Sequence, residues 1–213
     1  MDMAIRVLLV DDHEIVRAGV RRLLEQDQRL KVIADASNGE QAYQLVNELK
    51  PDIVVLDMIM PGMSGLETLR RIHRRDSTIK VIIFSMHNDA AYASQALTAG
   101  AKAYIAKTDD ITDLPKAIFR VNAGNNFLSE SMAQKIALSH FNGGDNLMEG
   151  LTTREFETFR LLAEGYGLEE IAQTLKLSNK TVANYQTILR NKLDIHSPIA
   201  LVRLALQYGV ITN

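Results

Sequence analysis

Apolar residues over the first ~120 positions fall into short unbroken runs separated by longer stretches with helical spacing. Ile5-Arg6-Val7-Leu8-Leu9-Val10 reads as a buried strand, and similar runs occur at 31–36, 53–56, 81–84 and 103–105. Between them, helical windows cover 14–25, 40–49, 66–74, 90–99 and 111–122. Continuous apolar runs rich in β-branched residues, alternating with amphipathic helices, predict a parallel sheet covered on both faces. Five such units make a flavodoxin-like, doubly wound α/β domain with a five-stranded parallel sheet. The spacing of Ser64 and Glu67 predicts a capping box at one helix start.

The pattern changes after Ala123-Gly124-Asn125-Asn126. One helix is predicted over 130–141, followed by a flexible, turn-rich stretch at 142–146, so 124–150 reads as a linker carrying one helix. From Leu151 no strand pattern appears. Thr152 and Glu155 have capping-box spacing for a helix that Gly165 ends. A short helix over 168–175 follows, then one over 179–193 capped by Ser178. Ser197-Pro198 opens a last helix that runs to about 207. The expected organisation is 1–123, 124–150 and an all-α domain of four helices over 151–213.

Composition narrows the classes. Apolar residues make up 46% and charged residues 23% of 213, so long disorder and coiled coil are excluded as descriptions of the whole chain. With no cysteine there is no disulfide or zinc–thiolate site. No apolar run reaches the ~18 residues of a membrane helix. Met1-Asp2-Met3 leads directly into a strand, without the basic start of a signal peptide, so the expectation is a cytoplasmic protein without membrane contact. A net charge of −2 argues against non-specific coating of nucleic acid. Yet 176–192 holds four basic residues and no acid, so a local basic surface is available.

Candidate chemistry gathers at the carboxyl ends of the predicted strands, where doubly wound sheets bind ligands. Asp11 and Asp12 follow the first strand, Asp57 the third, Ser85 the fourth and Lys107 the fifth. Turn chemistry accounts for a single Asp there, but not for three carboxylates together with a lysine and a serine. Clustered carboxylates repel one another unless a hard cation sits among them, and Mg²⁺ suits carboxylates, waters and phosphate oxygens. The set fits phosphoryl transfer. Asp57 is the acceptor, Asp11 and Asp12 hold the metal, Lys107 pairs with a phosphoryl oxygen and Ser85 hydrogen-bonds it. Met58, Met60 and Met63 read as packing, and His13, His73 and His87 as surface or supporting residues.

Val10-Asp11-Asp12-His13, Leu56 to Gly62, Gly65 eight residues after Asp57, Ser85, and Tyr104-Ile105-Ala106-Lys107 resemble a response-regulator receiver domain over about residues 4–123. The resemblance implies phosphorylation of Asp57 by a partner sensor histidine kinase. It also implies Mg²⁺ held by Asp11, Asp12, Asp57 and the backbone carbonyl of Ile59, and a switch coupling Ser85 to Tyr104. Many members carry proline after the lysine; Thr108 stands here, which leaves a cis 107–108 bond allowed but costly.

In the second domain, 170–175, the turn Lys176-Leu177-Ser178 and 179–193 read as helix-turn-helix. Asn179, Lys180, Ala183, Asn184, Gln186 and Thr187 are small or polar residues suited to phosphate and base-edge contacts, and Arg190 and Lys192 add charge. Leu151-Thr152-Thr153-Arg154-Glu155, Leu161 to Gly165, Glu170-Ile171-Ala172, Lys180-Thr181-Val182, Tyr185 and Lys192-Leu193 resemble the LuxR-type DNA-binding domain. The whole chain is thus similar to NarL/FixJ-type response regulators, nearest the GacA/UvrY-like branch. That implies a transcription factor whose sequence-specific DNA binding is switched by phosphorylation. Ser178, Asn179, Lys180, Thr181, Ala183, Asn184, Thr187, Arg190 and Lys192 would face double-stranded DNA with two-fold-related half-sites. Leu201, Leu204, Ala205 and Tyr208 of the last helix would form a homodimer contact. Ala183 stands where many relatives have a basic residue, Tyr185 where many have histidine and Gly167 where a polar cap is common. Asn184 is therefore the leading base reader, with Thr187 second.

Two other classes stay open at this level. An aspartyl-phosphate phosphohydrolase uses the same parts, but such enzymes place the nucleophile after the first strand and enclose the substrate with a cap; here it follows the third, so no enzyme is expected. Alternatively, the helical domain binds protein or RNA.

Overall fold

The structure, a computed structural model, describes residues 4–141, 147–148 and 150–211, with the side chains of 139–141 outside that description. The turn-rich segment expected at 142–146 lies outside the described residues. The chain divides into two compact units, Met1–Asn88 with Ala96–Met132, and Asp89–Gln95 with Ala133–Asn213.

In the first unit β1 (Ile5–Val10), α1 (Glu14–Leu24), β2 (Leu30–Ala36), α2 (Gly39–Leu49), β3 (Ile53–Leu56), α3 (Gly65–Arg75) and β4 (Lys80–Ser85) alternate. α4 (Ala90–Thr98), of which Ala90–Gln95 belongs to the second unit, is followed by β5 (Ala103–Ala106), α5 (Asp113–Asn122) and β6 (Phe127–Leu128). All pairings are parallel and the strand order is β2-β1-β3-β4-β5-β6. The sheet therefore has six strands rather than the expected five. The extra one is only two residues long, too short to show a period, and pairs Ala103 with Phe127 at the sheet edge.

One face of the sheet packs Val7, Leu9, Val55, Phe84 and Ile105 against Val20 and Leu24 of α1 and Leu114, Ile118 and Val121 of α5. The alternate residues Leu8, Val54 and Ile83 are fully buried on the opposite face, as are Leu69 and Ile72 of α3. Burial on both faces is why these strands read as unbroken apolar runs. Each fully buried aliphatic side chain contributes roughly 2 kcal/mol before entropy is counted. Register aligns the strand ends: Val10 pairs with Leu56, and Ser85 with Ala106. The residues that follow these ends accordingly meet along one edge, at the point where the chain order reverses between β1 and β3.

The second unit contains α6 (Glu130–Phe141) from Ala133 onward, α7 (Thr153–Ala163), α8 (Leu168–Leu175), α9 (Asn179–Lys192) and α10 (Pro198–Gln207). Thr152 and Glu155 form the expected capping box, and Ser178 and Ser197 accept from the backbone N–H groups of Thr181 and Ala200. Gly167 offers no side-chain cap; Glu170 instead accepts from the Gly167 N–H at 2.7 Å. Leu161, Ile171, Ala172, Leu175 and Val182 form the core where α7, α8 and α9 meet. Lys176 ends α8 in the left-handed region (φ 55°), which turns the chain sharply into α9. Within the same unit Tyr92 donates to the Val210 carbonyl at 3.1 Å and meets Phe156 edge-on, with ring centroids 5.2 Å apart.

Local packing is tightest at Gly65, which opens α3. A Cβ added there would lie 1.9 Å from the carbonyl oxygen of Asp57, a backbone atom with nowhere to retreat. Gly65→Ala is expected to lose about 3 kcal/mol of unfolding free energy by overpacking. Urea denaturation measures this, and an unchanged midpoint would show that the loop after β3 yields freely.

Candidate functional site

The loops leaving β1, β3 and β5 bring Asp11, Asp57 and Lys107 together, as the sequence predicts. Asp57 is 5% exposed and held by its own backbone, since its N–H donates to the Val10 carbonyl at 2.8 Å. Its Oδ1 accepts from the Met58 N–H at 2.6 Å and its Oδ2 from Lys107 Nζ at 2.7 Å. The same ammonium donates to Asp11 Oδ2 at 2.5 Å, so one buried cation bridges two buried carboxylates. Lys107 is anchored by its backbone N–H, which donates to the Ser85 carbonyl, and its ammonium lies 5.9 Å from the centroid of the Phe84 ring. The 107–108 bond is trans, because no peptide bond of the described residues is cis.

Burial pushes the Asp57 carboxyl above the usual range, and the Lys107 hydrogen bond offsets only part of that. For Lys107, burial opposes the charged form, but the bonds to Asp11 and Asp57 outweigh it and raise its pKa. Ser85 is fully buried, and its Oγ accepts from the His87 N–H at 3.3 Å. Tyr104 is also fully buried, and its hydroxyl donates to the His87 carbonyl at 2.8 Å. Ser85 and Tyr104 thus hold the same residue of the β4–α4 loop. Ile59 is half-buried two residues beyond Asp57.

Ligand atoms of Asp11, Asp12, His13 and Asp57 all lie within 4.8 Å of one another. Asp12 Oδ1 is buried and is approached by the His13 ring at 2.8 Å. Three carboxylates gathered in one place are a donor set that fits a hard divalent cation such as Mg²⁺, with Asp11, Asp12 and Asp57 as the residues that would hold it. Sequence reasoning missed Arg17. Its Nη1 donates to the Asp11 carbonyl at 2.7 Å and its Nε to Asp35 at 3.1 Å, tying the β1 end to β2. An arginine one turn into a predicted helix carries no signal of that contact.

On the second unit, Ser178, Asn179, Lys180, Asn184, Thr187, Arg190 and Lys192 are exposed, while Thr181 and Ala183 are half-buried. Several are already engaged. Ser178 caps α9, Thr187 donates to the Ala183 carbonyl at 3.1 Å, and Lys192 Nζ donates to Glu155 at 2.8 Å. That ion pair helps hold the Glu155 carboxyl below its ordinary range against the opposing effect of burial. The last helix requires a correction. Leu201 and Ala205 are buried and belong to the core of their own domain, so they are not available as dimer contacts. Leu204 and Tyr208 are half-buried, and the exposed apolar residues of α10 are Ile199, Val202 and Leu206. Helical periodicity alone does not say which apolar side faces α7.

Comparison with known proteins agrees with this geometry. Residues 7–119 match the response regulator receiver domain, and 149–205 match the bacterial regulatory proteins of the luxR family. The chain is 38% identical over 208 residues to the transcriptional activator protein ExaE of Pseudomonas putida, covering 96% of this chain and 97% of that one. It is 36% identical to the response regulator UvrY of Escherichia coli K12, covering 97% and 95%. Among solved structures it is similar to RcsB from Salmonella enterica serovar Typhimurium bound to promoter P1flhDC in the presence of the phosphomimetic BeF3⁻. The TM-score there is 0.74 and the identity 29%, over 96% of this chain and 98% of that one. The chain belongs to the two-component response regulators that join a receiver domain to a LuxR-type DNA-binding domain, a family of transcription regulators. Among the described residues no helix is long and apolar enough to cross a membrane.

The raised Asp57 pKa has a consequence for stability. Because the folded chain binds this proton more readily than the unfolded one, stability attributable to Asp57 falls as pH rises from the ordinary carboxylate range through the raised pKa. Asp57→Asn, which keeps the shape without the charge, is expected to melt a few degrees higher than the parent at pH 7 in metal-free buffer. The gain should shrink as pH falls toward about 4, the unfolded value. Calorimetry across that range checks it, and a variant no more stable than the parent at pH 7 refutes it.

Proposed function

We propose that this chain is switched by phosphorylation of Asp57 and, once switched, binds two-fold-related sites on double-stranded DNA as a homodimer. The observation that carries the reading is the buried Lys107 ammonium bridging Asp57 and Asp11 at the strand ends. Nothing in turn or core chemistry calls for that cluster. The phosphoryl donor is the phosphohistidine of a sensor kinase. A carboxylate oxygen of Asp57 attacks phosphorus, the P–N bond breaks, and the imidazole leaves with its electron pair and takes up a proton. Lys107 neutralises charge on the phosphoryl oxygens, and the Ser85 hydroxyl donates to one of them. A bound Mg²⁺ supplies further neutralisation of the transferring oxygens. The hydroxyl that would donate to the phosphoryl group also accepts from the His87 N–H, so the loop after β4 is where the modified state would differ from the unmodified one.

The working division is a receiver over 1–123, a linker with one helix over 124–150 and a DNA-binding domain over 151–213. On α9, Asn184 is exposed and is the leading base reader, with adenine as the fitting partner. Asn179, Lys180 and Arg190 are the phosphate contacts, with Ser178, Thr181, Ala183, Thr187 and Lys192 in supporting positions. Ile199, Val202 and Leu206 form the apolar strip of α10 that a second copy covers, which would set two α9 helices on successive major grooves. The protein acts in the cytoplasm and its output is transcription rather than catalysis.

Full-length protein incubated with a random duplex DNA pool, with and without a beryllofluoride mimic and Mg²⁺, tests the switch. A two-fold-related motif should be enriched more strongly with the mimic, and Asp57→Ala should erase that difference. Equal enrichment in both conditions would remove the switch, and no enrichment at moderate salt would move the output to a protein or RNA partner. Leu206→Glu tests the dimer. It should weaken binding to a paired site about tenfold while leaving single half-site binding unchanged. Equal weakening on both sites would place the defect in the fold instead.

A further inference from the structure

Where β1 ends, the sheet stops supplying partners for the backbone. The Val10 carbonyl accepts from the Asp57 N–H at 2.8 Å, and the Asp11 N–H donates to the Ala36 carbonyl at 3.1 Å. The next carbonyl, that of Asp11, accepts from a side chain instead, Arg17 Nη1 at 2.7 Å. Asp11 is 5% exposed, and a buried carbonyl left without a donor is costly. That carbonyl belongs to the peptide joining Asp11 to Asp12, so the bond sets the plane from which both acids project.

The guanidinium is itself held. Its Nε donates to Asp35 Oδ2 at 3.1 Å, and Asp35 Oδ1 accepts from Arg21 Nη2 at 2.6 Å. Arg21 also donates from Nη1 to the Val32 carbonyl at 3.2 Å. The two arginines stand one turn apart on α1 and grip one carboxylate at the end of β2. The Arg17 side chain is 15% exposed and lines one small cavity together with Asp11, Asp57 and Phe84. Packing of α1 on the sheet does not call for it, because Val20 and Leu24 do that work. A lysine at 17 would keep the charge, but its single nitrogen lacks the planar fork that reaches a carbonyl and a carboxylate at once.

We infer that Arg17 is a positioning residue for phosphoryl transfer, holding the Asp11–Asp12 peptide so that both carboxylates meet the divalent cation in one arrangement. Asp35 and Arg21 hold Arg17 in turn. The inference rests on the proposed phosphorylation of Asp57 and on its Mg²⁺ site. Arg17 acts through the two acids and is not itself a ligand. Groups that orient metal ligands typically govern affinity by about tenfold or more. Loss of Arg17 therefore shows as weaker Mg²⁺ binding, and the rate of transfer recovers once the site is saturated.

Calorimetric titration of the full-length chain with MgCl2 measures the affinity. Phosphoramidate, a small P–N donor, with intact-mass detection measures transfer to Asp57 at limiting and at saturating Mg²⁺. Arg17→Lys should bind Mg²⁺ about tenfold more weakly, yet match the parent's rate within about twofold at saturation. Arg21→Ala also loses a contact to Asp35 but keeps the Asp11 bond, so its Mg²⁺ affinity should stay within about twofold of the parent's. Urea denaturation checks that each variant is folded. Unchanged affinity in Arg17→Lys overturns the inference. So does equal weakening in Arg21→Ala, which would mean a general loosening of α1 on β2, or a rate that stays low at saturation. If Arg17→Lys does not fold, Asp35→Asn carries the test: it leaves Arg17 in place with a weaker hold, and should cost about threefold in Mg²⁺ affinity. No change there overturns the inference as well. Asp57→Ala separates the two levels. A parent that takes up no phosphoryl group, or no more than Asp57→Ala, defeats the phosphorylation reading itself. A parent modified only through Asp57, with Arg17→Lys equal to it throughout, leaves that reading standing without Arg17.

Discussion

Three carboxylates crowded at the ends of two neighbouring strands repel one another, and the receiver fold is arranged around that repulsion. Lys107 answers part of it by reaching both Asp11 and Asp57 from a third strand end. This requires β1, β3 and β5 to finish at one level, although β4 lies between β3 and β5, and the pairing of Val10 with Leu56 and of Ser85 with Ala106 delivers it. The remaining negative charge is of the kind that suits a divalent cation. Apolar strands buried on both faces hold the like charges together, and their burial, with a smaller push from the Asp11 charge, raises the pKa of Asp57.

The DNA-binding half makes sparing use of charge. Most of its acids lie on α7 and α8, and α9 carries Lys180, Arg190 and Lys192. Lys192 is shared with Glu155 and the Gly150 carbonyl, where it also steadies the capping box that starts α7. The same side chain thus belongs to the scaffold and to the charged surface. A surface with few unshared cations gains less from counterion release on nucleic acid.

The fold was legible in the sequence where periodicity is strong. Unbroken apolar runs at 5–10 and 53–56 became strands buried on both faces, and Ser64, Thr152, Ser178 and Ser197 became helix caps. Two residues are too few to show a period, so β6 was not legible. The chemical cluster was visible because strand ends converge in any doubly wound sheet, and Asp11, Asp57 and Lys107 stand at those ends. Residues whose role depends on where one side chain reaches stayed hidden. Arg17 lies in a helix full of arginines, and nothing in the sequence says that it grips the Asp11 carbonyl. In α10 the apolar positions were visible, but the division between Leu201 and Ala205 inside and Val202 and Leu206 outside depends on how the helix lies against α7.

The glycine that opens α3 has a mechanical meaning as well as a steric one. Its near-contact with the Asp57 carbonyl joins the loop after β3 to α3 through backbone atoms, and the Gly65 N–H donating to the Met58 carbonyl reinforces the joint. On the other flank, the loop after β4 is held by the side chains of Ser85 and Tyr104, bonds that can be exchanged without moving a strand. A rearrangement at Asp57 therefore meets close backbone packing on the α3 side and exchangeable side-chain hydrogen bonds on the β4 side, and costs less in the second direction than in the first.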